Sequence, residues 1–260
     1  VLANHAKPGQ KERNMGLKPI QLLVLSAVAV AIAFGSGLQA ASLSFSGYTW
    51  IVRPTGKGGP GPNDWSQENA FVDTNGWLHL RLTKQKDRWH CSEVYTQERL
   101  GFGRYEFWLV GRLDQLDQNV VLGLFNYPPS DVGPDGTHEI DIEFAQWGNA
   151  SAPIGNYTVW PVKTSVKRES KLFSFVLNSD FSTHRFTWSP TNIVFQSEHG
   201  HAQEKSASFA HWVYQPADAA ARVSQKAMPV HLNLWCFNGR PPTNGQPVEL
   251  IVRAFKFTPL

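Results

Sequence analysis

Cysteine is nearly absent: Cys91 and Cys236 are the two in 260 residues. So few exclude a disulfide-framework fold, and with no CxxC or Cys/His cluster there is no structural zinc signature. One bridge or two buried thiols both fit, since pairing needs Cα atoms within about 7 Å. The chain also lacks a P-loop, a dinucleotide fingerprint and a serine nucleophile elbow. His138-Glu139 has no second histidine at the spacing a zinc protease needs. No cofactor and no metal site is implied. Charge of one sign is lacking as well. Four of the 24 basic residues and one of the 21 acidic residues fall in residues 1–41, leaving 20 of each beyond. A balanced chain gives no electrostatic footprint for a nucleic-acid partner.

Long apolar runs are missing except for one. Ile20 to Phe34 is interrupted by Gln21 and Ser26, preceded by Lys11, Arg13 and Lys18, and followed by Leu38-Gln39-Ala40-Ala41. A basic flank, an apolar core and a small-residue exit read as a secretory signal cleaved after Ala40 or Ala41. The alternative is a membrane anchor, but the run is shorter than the roughly 20 residues a spanning helix needs. Residues 1–14 precede Met15, a candidate start, and are set aside. The expectation is a leader over 1–41 and one domain over 42–260. That domain is expected to be secreted or periplasmic, monomeric and free of the membrane once the leader is cleaved.

Aromatics and period-2 alternation fill what remains. Ten tryptophans and 12% aromatic residues suit a packed β protein or a site that stacks flat ligands. Residues 77–82, 105–110, 184–188, 193–195, 229–235 and 248–257 read as strands, separated by Gly, Pro, Asn and Ser. The stretch GKGGPGP, 56–62, predicts a loop unable to hold a sheet ladder, because proline lacks a donor. A short helical turn is expected within 207–222. No internal repeat or linker appears. The class expected is all-β, a single antiparallel sandwich of the jelly-roll kind.

Within this pattern lies HEIDIEF, His138 to Phe144. On a strand, successive side chains point to opposite faces. Ile140, Ile142 and Phe144 then enter the core, while Glu139, Asp141 and Glu143 project together from the other face. A one-residue slip would bury three acids, which fixes the register. A solvated strand face usually mixes Lys, Thr and Ser among its acids, and calcium sites usually draw on flexible loops. Clustered acids with perturbed pKa values instead mark functional sites. The outer glutamates have Cα atoms about 13 Å apart at about 3.3 Å per residue. Leaning inward, their carboxyl groups can approach the roughly 5–5.5 Å of a retaining glycosidase. Asp141 between them can hold a proton on one while the other stays ionised.

Glu139-Ile140-Asp141-Ile142-Glu143-Phe144 resembles the active-site signature of glycoside hydrolase family 16. Gly101 to Glu106, His184 to Pro190, Ile193 to Phe195 and Leu232 to Trp235 resemble further blocks of that family, in order. The resemblance implies a curved jelly roll with a concave cleft-bearing sheet, and a retaining endo-acting enzyme. It implies Glu139 as nucleophile, Glu143 as general acid/base and Asp141 as the helper between them. The short motif is similar to that of mixed-linkage glucanases and xyloglucan-active enzymes, which tilts the substrate toward a β-glucan-class polysaccharide. A transglycosylase or a non-catalytic carbohydrate-binding protein would share the scaffold. Thr137 and His138 depart from the mixed-linkage pattern, where a tryptophan and an acid stand, and Tyr95 stands where an arginine is expected.

Asn233 and Trp235 share a strand face opposite Leu232 and Leu234, and both are assigned to the cleft; His231 is read as a possible strand cap. Trp147 is a candidate subsite floor, and Asn156 and Tyr157 are similar to polar cleft contacts of the family. Trp65 is expected as an outer sugar platform and Glu93 as a cleft acid, with Tyr95 beside it. Trp50, Trp77, Trp108 and Trp188 are expected in the core.

Overall fold

In Leu78-His79-Leu80-Arg81-Leu82 the three leucines are fully buried and the residues between them are not, the period-2 burial that makes a strand stable. The computed structural model describes residues 40–201 and 208–260; the basic flank and apolar run of the expected leader lie outside them. The strands begin with β1 (Ser42–Phe45), β2 (Tyr48–Val52), β3 (Gly56–Gly58), β4 (Asn63–Trp65), β5 (Ala70–Val72), β6 (Leu78–Gln85), β7 (Arg88–Thr96), β8 (Gly103–Val110) and β9 (Val120–Asn126). They continue with β10 (Ile140–Phe144), β11 (Gly155–Val159), β12 (Glu169–Phe173), β13 (Phe181–Trp188), β14 (Ile193–His199), β15 (Ser208–Tyr214), β16 (Val230–Cys236) and β17 (Val248–Pro259). The expected helical turn is the four-residue α1, Ala219–Arg222. Among the described residues no helix is long and apolar enough to cross a membrane.

Pairing sorts the strands into two faces of a sandwich. One sheet runs β1-β2-β7-β16-β9-β10-β11-β12, all antiparallel. The other runs β5-β6-β17-β8-β13-β14-β15, also antiparallel. The far end of β6 turns over to pair with β7 and so joins the two. One departure from antiparallel pairing is β4 beside β7. Residues 56–62 differ from expectation: Gly56–Gly58 does pair with β4. Glycine keeps its amide donor, and the ladder stops before Pro60, which has none.

The core lies between the sheets. Ile140, Ile142 and Phe144 meet Leu232 and Leu234 from the first sheet and Phe107, Phe186, Trp188 and Phe195 from the second, all fully buried. Each such side chain contributes about 1.5–3 kcal/mol by leaving water. Rings stack across the gap: Tyr157 on Phe195 at 4.9 Å and Phe144 edge-on to His184 at 4.6 Å. Trp50 and Trp188 are buried as expected. Trp77 and Trp108 are not: both are half-buried on the outer face of the second sheet. There Arg253 covers Trp77, and His201 stacks on Trp108.

Candidate active site

Strand register alone assembles the site. On the face of the first sheet turned away from the core, one row of residues crosses six strands: Glu93, Asn233, Gly123, Glu143, Asn156 and Leu172. The adjacent row is Tyr95, His231, Phe125, Asp141, Thr158 and Ser170. These rows floor a cleft of about 1050 Å³, walled by Arg53, Pro60, Trp147, Trp160, Trp235 and Phe237. Glycine is required at Gly123, because a Cβ there would lie 2.5 Å from Asn233 Oδ1.

The three acids enter from β10 and the residue before it. His138 takes the left-handed φ of 63° and its ring is anchored by Ser224, with Nδ1 and Oγ 2.9 Å apart. The turn it makes aims Glu139 into the cleft, and Trp160 N donates to Glu139 O at 2.9 Å. Asp141 is buried, whereas Glu139 and Glu143 keep part of their surface open to the cleft. Burial pushes the Glu139 carboxyl up to about 8, and the charge of Glu143 adds to the push while the neighbouring Asp141 opposes it. Asp141 is raised well above the usual carboxylate range by burial and by Glu139. Glu143 is raised well above it by burial and by Asp141. Three such groups titrate as a set. Burial and mutual repulsion thus push each of the three toward the protonated form.

A second acid in the same row behaves oppositely. Burial alone would raise Glu93, but His231 and Arg53 outweigh it and hold it below its ordinary value. Arg53 Nη1 donates to Glu93 Oε2 at 2.6 Å, and His231 Nδ1 lies 2.8 Å from Oε1. His231 is therefore a cleft residue rather than a strand cap. Tyr95 stacks on it at 5.1 Å, on the cleft face but outside the residues lining the cavity.

Of the remaining expected binding residues, Asn156, Asn233, Trp147 and Trp235 line the cleft. Asn156 is committed to the protein: its amide donates to Ala145 O and Ile154 O, and its oxygen accepts from Trp147 Nε1 at 3.1 Å. It thus orients Trp147, which takes a φ of 54° and packs edge-on to Phe237. Asn233 Oδ1 is buried over Gly123 with no hydrogen-bond partner among the described residues.

Two expectations are corrected. Tyr157 alternates with Asn156 and so faces the core; it is fully buried and its hydroxyl donates to Ser197 Oγ at 2.7 Å. Trp65 is no exposed platform: it is buried, its Nε1 donates to Gly58 O, and the Arg53 guanidinium lies 3.9 Å over its ring. Sequence reasoning passed over Arg53, Phe125, Asp135, Arg168 and Phe237. The alternation of Arg168, Ser170 and Leu172 was the available signal for one of them. Among the described residues no group of three or more His, Cys, Asp or Glu side chains is placed to hold a metal.

Residues 62–246 match the model of glycosyl hydrolases family 16. The chain belongs to that family. Its fold is a β-sandwich, as in the solved structures it resembles. A curated relative, xyloglucan endotransglycosylase/hydrolase protein 8 of Oryza sativa subsp. japonica, is 29% identical over 101 residues, 39% of this chain and 32% of that protein. The chain thus spans about a third of the length of the curated relative it matches. A Bacillus licheniformis β-glucanase structure is similar with a TM-score of 0.58 and 19% identity, over 85% of this chain and 98% of that one. A prokaryotic β-1,3-1,4-glucanase (lichenase) from a mouse hindgut metagenome gives 0.57 and 19%, over 81% and 93%. At these identities the structural likeness speaks for the family 16 fold.

Proposed function

We propose that the protein is a secreted or periplasmic, retaining endo-acting hydrolase of a β-1,3/1,4-linked glucan or a related polysaccharide. The observation that carries this reading is that three acids of one strand, Glu139, Asp141 and Glu143, line a single cleft and are all pushed toward the protonated form, so the set can hold and pass a proton. Glu139 Oε attacks the anomeric carbon. The bond from that carbon to the leaving oxygen breaks, and the leaving oxygen takes the proton of Glu143. Water then gives its proton to Glu143 and its oxygen to the anomeric carbon, which releases Glu139. Asp141 holds the proton that keeps Glu139 ready to attack. Trp147 and Trp235 offer flat apolar faces to sugar rings, and the Asn233 side chain lies beside them in the cleft lining.

The test measures new reducing ends on mixed-linkage glucan, laminarin, xyloglucan and agarose, beside Glu139→Gln. Release from one polymer, lost in the variant, is the expected result. Cleavage by Glu139→Gln at the wild-type rate refutes the assignment. A second reading, transglycosylation, draws support from the rice relative, a xyloglucan endotransglycosylase/hydrolase. It uses the same residues and passes the glycosyl group to a sugar hydroxyl instead of water. Products longer than the substrate would reveal it. Binding without turnover across a broad glycan panel would favour a carbohydrate-binding protein.

A further inference from the structure

Trp160 and Arg168 line the cleft beside the three acids and have no part in the scheme above. Trp160 directly follows β11, and its backbone amide is tied to Glu139 O. Its indole Nε1–H donates to Asp141 Oδ2 at 2.8 Å. The Arg168 guanidinium lies 4.4 Å from the centroid of the Trp160 ring, inside cation–π range. The other Asp141 oxygen, Oδ1, is buried and has no hydrogen-bond partner among the described residues. A cation over the ring face draws electron density from the indole and makes its N–H a stronger donor. With Oδ2 committed to that donor, Oδ1 is the atom left to carry a proton toward Glu139.

We propose that Arg168 and Trp160 form a positioning pair that fixes Asp141: the guanidinium clamps the indole, and the indole N–H pins Oδ2. The inference rests on Glu139 being the nucleophile and Asp141 its helper. Neither member of the pair touches the reacting atoms. The charge of Arg168 also opposes the upward push on each of the three acids. Other titratable groups face the same set: Asp135, hydrogen-bonded by Tyr127, and, across the cleft, Glu93 with His231 and Arg53. Among the described residues, Arg168 alone of these groups reaches Asp141 through the indole.

Profiles of kcat and KM against pH, taken on the polymer that the wild type cleaves, test the pair. Trp160→Phe keeps a ring for any stacking on sugar and removes the N–H. The expected result is a fall in kcat of about 10- to 100-fold, the range seen when a supporting contact is removed, with KM nearly unchanged. Arg168 is exposed, so its replacement spares the core. Arg168→Gln should move both limbs of the profile to higher pH by about half a unit to one unit, and Arg168→Lys should restore part of the shift. Wild-type kcat in Trp160→Phe, or an unmoved profile in Arg168→Gln with only KM changed, overturns the proposal and leaves the pair as sugar contacts. Carbon-13 titration of the carboxyl groups reads the same point without turnover, since unchanged midpoints in both variants also overturn it. A wild type that cleaves nothing, or a Glu139→Gln variant that cleaves normally, rejects the underlying mechanism instead, so the two failures are separate.

Discussion

Glu93 and Glu143 lie in one row of the same sheet, three strands and about 14 Å apart, yet their carboxyl groups are driven in opposite directions. Both sit deep in the cleft, and burial raises both. At Glu93 a guanidinium and an imidazole stand within 3 Å and turn the outcome around. At Glu143 the nearest influence is another acid, and Arg168 offsets it only in part. Burial therefore sets the cost of a charge, and the neighbours decide whether the group keeps it. The first arrangement makes a fixed anion that braces one end of the cleft. The second makes acids that can carry a proton through a reaction.

Rates separate the two most sharply. Glu143→Gln should lower kcat by about 10²- to 10⁴-fold, the usual contribution of a general acid/base. Glu93→Gln should act mainly through KM. Equal losses of kcat in both variants would dissolve the distinction. Stability should separate them next, with opposite pH dependence. The depressed acid Glu93 stabilises the fold above its ordinary carboxylate range, and this is lost as pH falls through its lowered value. Glu139 is raised, so it favours the fold while protonated. That contribution is lost as pH rises from about 4.5 through about 8. Denaturant unfolding should show Glu139→Gln gaining on the wild type across that window. Glu93→Gln should lose about 2 kcal/mol at neutral pH, the scale of charge-assisted hydrogen bonds, and lose less in acid. Parallel curves for the two variants would contradict the contrast.

Alternation made much of this readable. Period 2 alone put Ile140, Ile142 and Phe144 inward and the three acids outward, and it separated Asn233 and Trp235 from the leucines between them. It also contains the argument against Tyr157, since Asn156 and Tyr157 are consecutive on a strand and cannot share a face. The resemblance suggested both, and alternation should have overruled it for one. Pairings between distant strands were not legible. Arg53 reaches Glu93 from the residue just after β2, a cation supplied by a different segment from the strand bearing Tyr95. Trp65 looked exposed because a Gly/Pro loop precedes it, but β4 lies along β7 and folds the ring under Arg53. Trp77 and Trp108 are large apolar rings on outward positions, where size suggested the core and register decided otherwise.

The smallest predicted effect tests that last kind of correction. Tyr157 Oη donates to Ser197 Oγ, whose oxygen lies 2.8 Å from His184 Nδ1, and His184 Nε2 lies 2.9 Å from Ser182 Oγ. Burial drives the His184 imidazole down to about 3, so the ring is neutral at any pH where the enzyme would work, and the hydroxyls on either side satisfy its two nitrogens. Tyr157→Phe removes one donor from this chain and leaves the ring stacked on Phe195. The cost should be about 1 kcal/mol, the net worth of one such hydrogen bond. Because the ring lies on the core side of the sheet, KM and kcat should both stay at wild-type values. A rise in KM without loss of stability would return Tyr157 to the cleft; a stability loss alone would fix it in the core, behind the strand that Glu143 faces.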